Sequence, residues 1–240
     1  MTILQSSLKL AFLELKHSKK NLLYTCLIYI YFLIISINIL GTQPLAEQSN
    51  LLLSFLLMTA FLPIIARKKY FQAAKIDIQY NISHFLILSL HLPIDKKSFL
   101  LSRFVIYTVY GFFYNSMFLT LLFIFNPKSL SSISMQTYLF LALFILLTSL
   151  AISFSNIYFE SGYNKIFTYM FFIFIILPTF LILLPFVYFL FDINLGYIAL
   201  RLAEQNPWRL ISIAIIILLL SIYTTSKLFF LKLNRRDFLF

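Results

Sequence analysis

Six long stretches of this chain contain no Asp, Glu, Lys or Arg, and they limit its possible folds more than any other feature. They cover residues 22–40, 51–66, 104–125, 138–159, 166–191 and 210–226. An α-helix rises about 1.5 Å per residue, so roughly 20 apolar residues are needed to cross the hydrocarbon core of a bilayer. Four of the runs meet that length as they stand, and the second and last reach it with their flanks. The expected fold is therefore an all-α membrane protein with six transmembrane helices. Composition agrees: 61% hydrophobic residues, 11% charged residues and a mean hydropathy of +0.93 lie outside the range of soluble globular chains.

A net charge of +11 raises the question of nucleic acid. The basic residues, however, cluster beside the apolar runs, where the positive-inside bias and anionic lipid account for them, and no nucleic-acid partner is expected. Their distribution also orients the chain. Lys9, Lys16, Lys19 and Lys20 precede the first run. Arg67, Lys68, Lys69, Lys75, Lys96, Lys97 and Arg103 lie between the second and third, Lys165 follows the fourth, and Lys227, Lys232, Arg235 and Arg236 follow the sixth. The opposite loops hold only Lys128, Arg201 and Arg209. A multi-pass protein of the cell membrane with both termini cytoplasmic is expected. The run over 22–40 is longer than the apolar region of a secretory signal and no A-x-A site follows it, so it is expected to remain as a span. Cys26, the single cysteine, has no internal disulfide partner and reads as a packing residue.

The layout is a single domain over 1–240: an interfacial helix (1–21), spans one and two (22–66), a cytoplasmic loop (67–103), spans three to six (104–226) and a cytoplasmic tail (227–240). In the first segment Leu4, Leu8, Ala11, Phe12 and Leu15 recur at helical spacing with a lysine rim, which predicts an amphipathic helix lying among lipid headgroups. In the loop, the apolar segment 82–92 would be about 16 Å long as a helix, roughly half of what a span needs. Its apolar residues (Ile82, Phe85, Leu86, Leu88, Leu90 and Leu92) call for a lipid or protein surface. Pro93 ends it, and Asp95 stands where the next helix would be capped. In the last external loop, Leu195, Ile198, Ala199 and Leu202 predict one more short helix, with Trp208 at the membrane interface.

Several chemistries lack their residues. All eight acidic residues lie outside the runs, as do the basic residues and His17, His84 and His91, which argues against an ion-coupled pump. No zinc spacing or nucleophile elbow occurs. Gly41, Gly111, Gly162 and Gly196 are too far apart to form a phosphate-binding loop. This chain is expected to bind no cofactor and to be no enzyme, so any nucleotide must sit on another polypeptide.

Within the third run Tyr107, Tyr110 and Tyr114 fall on one face with Gly111 and Asn115 nearby. Tyrosine hydroxyls seek partners, so the stripe faces either other helices or a translocation path lined by Tyr107, Tyr110, Tyr114 and Asn115. Ser149 with Ser153, and Ala151 with Ser155, make small-xxx-small pairs suited to close helix approach. Pro178 and Pro185 should kink the fifth run.

The sequence Leu92-Pro93-Ile94-Asp95-Lys96-Lys97 resembles the LP(V/I)-x-(R/K)-K junction that precedes the third span in ABC-2 type transporter permeases. The basic tail Lys232-Leu233-Asn234-Arg235-Arg236-Asp237-Phe238 and the six-span layout are similar to that family too, although Asp95 stands where the family often has Ser or Thr. The resemblance implies the transmembrane domain of a type V-like exporter, working with a second permease subunit in a homo- or heterodimer. It also implies a separate cytoplasmic ABC ATPase that carries the ATP and Mg, with 82–92 as the coupling helix and Ile82, Phe85, Leu86, Leu88 and Ser89 as docking residues. By analogy the cargo would be a peptide or another amphipathic substrate, moved out of the cell or the membrane. The alternative is a polytopic scaffold or sensor that uses the same loop to hold a regulator without moving any cargo.

Overall fold

The computed structural model describes residues 2–40, 67, 71, 73–75, 80–83, 85–86, 94–125, 133–160, 163–164 and 195–234. Helix α1 (Ile3–His17) starts on a capping box, in which the Thr2 hydroxyl accepts from the Gln5 N–H and the Gln5 side chain accepts from the Thr2 N–H. Ser18 closes it by donating its N–H to the carbonyls of Glu14 and Leu15. The Ser18 carbonyl accepts from Leu22, so α2 (Lys19–Leu40) begins after a one-residue break.

Helix α3 (Lys96–Phe125) begins on Asp95, whose carboxylate accepts from the Lys97 N–H at 3.0 Å, as expected of a cap. Helix α4 (Met135–Glu160) begins in the same way on Ser134, which accepts from Thr137 N–H at 3.1 Å. Helices α5 (Leu195–Gln205) and α6 (Pro207–Asn234) are separated by Asn206. Pro207 takes the first helical position of α6, where a missing N–H costs nothing.

Three of these helices, at Lys96–Phe125, Met135–Tyr158 and Pro207–Leu231, are long and apolar enough to cross a membrane, which is compatible with a multi-pass membrane protein. The apolar run at 22–40 is also helical. The runs at 51–66 and 166–191, with Pro178 and Pro185, lie outside the described residues.

Helix α4 packs along α6, and α3 packs against α1, α2 and α4. Ser221 of α6 donates to the Ala151 carbonyl of α4 at 2.5 Å. Leu210 shares a core with Tyr138 and Leu141 near the starts of α6 and α4, while Phe229 shares one with Phe154 and Ile157 near their ends. The two helices are therefore parallel. Helix α3 runs against both, since Phe99 at its start stacks on Phe229 and the Tyr138 hydroxyl donates to the Leu119 carbonyl at 2.6 Å. Ser98 also donates to the Ile3 carbonyl at 3.4 Å. The start of α1, the start of α3 and the end of α6 thus lie at one end of the bundle.

Gly111 lies in the α3–α4 contact against the end of the Leu150 side chain. A Cβ there would come within 2.7 Å of Leu150 Cδ2 and 3.9 Å of Ser153 Oγ. Ser149 and Ser153 are buried, in keeping with the small-residue face read from sequence, whereas Ser155 is exposed.

Short strands add to the expected helices. β1 (Ala73–Lys75), β2 (Tyr80–Ser83) and β3 (Tyr163–Asn164) form an antiparallel sheet in that order. Ala74 pairs with Ile82, and Asn81 with Tyr163. The sheet joins the 67–103 segment to the turn after α4. It corrects the helix expected over 82–92 at its first residues: Tyr80 and Ile82 alternate with Asn81 and Ser83, the period of a strand rather than a helix. Helix α5 forms where expected, but it packs through Ala199, Leu200 and Ala203 and leaves Ile198 exposed.

Candidate functional site

Four charged side chains from four separate parts of the chain meet inside the end of the bundle where α1 and α3 begin. Glu14 comes from α1, Arg67 from the position just past the second apolar run, Arg103 from two turns into α3, and Glu160 from the last residue of α4. Side-chain exposure is 0% for Glu14 and Arg103, 1% for Arg67 and 5% for Glu160. Such burial is tolerable only because each charge is paired.

Arg67 is the hub. Its Nε donates to Glu14 Oε1, and its Nη1 to Glu160 Oε1 and, at 3.1 Å, to the Tyr107 hydroxyl. Its Nη2 donates to the Phe71 carbonyl at 2.9 Å and to Glu160 Oε2 at 3.3 Å. The Arg67 carbonyl accepts from Asn21 Nδ2 of α2 at 2.8 Å. Tyr107 closes the ring by donating to Glu160 Oε1 at 2.7 Å. Burial works against the Arg67 charge, but the carboxylates of Glu14 and Glu160 outweigh it and hold the guanidinium pKa well above its ordinary value.

Arg103 is bound differently. Its Nη1 reaches Glu14 Oε2 at 2.6 Å and Glu160 Oε2 at 3.5 Å. Its Nε and Nη2 find no acceptor among the described residues. Instead the guanidinium lies over the rings of Phe99 at 4.7 Å and Phe85 at 5.2 Å. An aromatic row, Phe71 to Phe85 to Phe99 to Phe229, runs beside the charges with centroid spacings of 5.0, 6.1 and 6.1 Å.

The docking residues read from sequence are distributed otherwise. Ile82 lies in β2, and Leu88 and Ser89 fall outside the described residues. Phe85 and Leu86 are 6% and 1% exposed and belong to the chain's own core with Phe71, Phe99 and Phe229. Their apolar surface is covered from within the chain.

The tyrosine stripe is likewise enclosed. Tyr107 belongs to the ion cluster, Tyr110 stacks on Tyr114, and the Tyr114 hydroxyl donates to the Leu22 carbonyl at 3.0 Å. Asn115 Nδ2 donates to Ser149 Oγ at 3.0 Å. All four residues are buried in helix contacts. These contacts among the described residues are those of helix packing.

Helix α1 packs on α3 through a stripe adjoining the apolar one read from sequence. Ser7, Ala11, Glu14 and Ser18 form the buried stripe, and the narrow side chains among them let α1 approach α3 closely. Leu4, Leu8 and Phe12 are exposed on the adjoining stripe, with Phe12 70% exposed.

The sequence reading missed the cluster because Arg67, Arg103 and Glu160 abut apolar runs and were counted as flanking charges. A signal existed at Glu14, which falls on the helix wheel between Leu10 and Ala11 and away from Lys9, Lys16 and Lys20. Among the described residues no group of three or more His, Cys, Asp or Glu could hold a metal ion. No family model, curated protein or solved structure matches the chain.

Proposed function

We propose that this chain is the membrane-spanning permease subunit of an ATP-driven exporter of the ABC-2 type, with six spans, both termini on the cytoplasmic side and a second permease subunit beside it. A separate ATPase supplies ATP and Mg chemistry and docks on the 67–103 segment. The cargo is a peptide or another amphipathic molecule that leaves the cell or the membrane.

One observation carries the reading: the 67–103 segment is fastened by a buried ion cluster to α1, α3 and α4 together. A docked motor pulling on that segment would therefore act on span-forming helices rather than on a loose loop. The junction resembling the family's, Leu92 to Lys97, leads into α3 on a formed cap. Asp95, Lys96 and Lys97 are exposed beside it.

The docking contact is assigned to the 82–92 stretch, with Leu88 as the residue to change first. The test is purification of the chain from its native membrane in mild detergent, followed by assay of the eluate for vanadate-sensitive ATP hydrolysis. Hydrolysis that co-elutes with the wild type and is lost in Leu88→Asp, with the chain still folded, is expected. An eluate without ATPase activity, or one that carries a regulator instead, would transfer the reading to a membrane scaffold or sensor.

A further inference from the structure

The two arginines of the cluster are bound unequally, and the inequality has a mechanical meaning. Arg67 uses all three nitrogens, bridges both glutamates and fixes the Phe71 carbonyl. It stands in a bend between elements rather than in a helix. Arg103 is part of a 30-residue helix, touches both glutamates through a single nitrogen, and keeps two buried donors without an acceptor among the described residues. Glu14, Glu160 and Arg103 are all carried by helices that pack on one another through α3. Arg67 alone is carried by the segment that precedes α3.

We propose that Arg67 is a releasable clasp and Arg103 its stand-in. When the segment is pulled away, Arg67 leaves with it. Arg103 already contacts both carboxylates, and its spare Nε and Nη2 donors can turn onto them, while the Tyr107 hydroxyl still donates to Glu160. Helix α1 therefore stays on the bundle through Glu14 while the segment moves. With both arginines present the four charges cancel, and with Arg67 withdrawn one negative charge is left over. That excess draws Arg67 back, so the clasp recloses unless the segment is held open. What pulls the segment is taken from the permease reading. The clasp itself is a property of the chain alone.

The test is hydrogen exchange on the purified chain in lipid nanodiscs, without any partner, comparing wild type with Arg67→Gln, Arg103→Gln and the double variant. In Arg67→Gln, amides of the 67–86 segment should exchange about tenfold faster or more while α1 stays within about threefold of wild type. In Arg103→Gln both regions should stay near wild type, because Arg67 holds both carboxylates. Only the double variant should free α1. Arg67→Lys, which keeps the charge but cannot reach every partner, guards against loss of fold and should loosen 67–86 alone. Unchanged exchange in 67–86 for Arg67→Gln, or release of α1 in that single variant with α4 and α6 still protected, would overturn the proposal. Because no ATPase is present, such a failure would leave the permease reading untouched.

Discussion

The hydroxyl of Tyr107 donates to Glu160 Oε1 at 2.7 Å, tying the fourth turn of α3 to the last residue of α4. The same carboxylate oxygen accepts from Arg67, so a neutral donor and a cation share one acceptor. Tyr107 gives the carboxylate a hydrogen bond without changing the cluster's net charge, which stays at zero across two arginines and two glutamates.

Tyr107→Phe tests that bond with little change of shape. A hydrogen bond to a charged group contributes about 1.5–3 kcal/mol. The variant should unfold at lower temperature by a corresponding amount, read by thermal denaturation in detergent, while its helix content remains that of the wild type.

Pairing in the cluster is tested by neutralising one charge or two. Arg67→Met leaves buried carboxylates in excess and should cost about 3–5 kcal/mol. Glu14→Gln together with Arg67→Met restores neutrality around Arg103 and Glu160. The double variant should be more stable than the sum of the singles predicts, by on the order of 1–3 kcal/mol. Strict additivity in chemical denaturation would mean that the four charges do not act as a unit.

The pH dependence follows from the raised pKa of Arg67. A cation whose pKa is raised on folding contributes fully below its unfolded value, which for arginine is already strongly alkaline, and loses that contribution only as pH climbs through the folded value. The clasp should therefore hold unchanged to about pH 11, read as constant protection of the 67–86 amides after correction for intrinsic exchange. Arg67→Lys, which already holds the segment less firmly at neutral pH, has an ordinary pKa of about 10.4 and should lose the hold that remains in the alkaline range.

Asn156 is 1% exposed on α4, and neither its Oδ1 nor its Nδ2 finds a partner among the described residues. An unsatisfied buried amide costs about 1–3 kcal/mol. Asn156→Leu, close in volume, should raise the melting temperature. A fall would show that the amide is matched by a group not present here, such as a second subunit.

The two stripes of α1 should respond oppositely. Ala11→Leu forces bulk into the contact with α3 and should destabilise by about 1–3 kcal/mol. Phe12→Ser lies on the exposed stripe and should leave stability in detergent nearly unchanged while weakening the burial of α1 in lipid, detectable by quenching of a probe placed at Leu8.

What the sequence made legible was what depends on short-range pattern. Charge-free runs marked α2, α3, α4 and α6, Asp95 announced the start of α3, and the spacing of Ser149 and Ser153 marked a close helix contact. The cluster was not legible, because its paired members are 53 to 93 residues apart, as in Arg67 with Glu14 and Arg67 with Glu160, and only the packed helices bring them together. Phe85 and Leu86 misled for a related reason: apolar residues in a loop look exposed until the chain that covers them is in place. The packed stripe of α1 shows the same limit, since hydrophobic periodicity ranks side chains by greasiness, whereas close packing on α3 selected the small ones and a paired glutamate.

The permease reading requires the 67–103 segment to face the compartment that holds ATP, with α5 on the other side of the membrane. Single cysteines at Ser89 and Gln205, each in a Cys26→Ser background, allow a direct measurement with a membrane-impermeant thiol reagent. In intact cells Gln205→Cys should react and Ser89→Cys should not, and Ser89→Cys should become reactive once the membrane is opened. Reaction of Ser89→Cys in intact cells, with Gln205→Cys protected, would place the segment where no ATPase can reach it and would contradict the account.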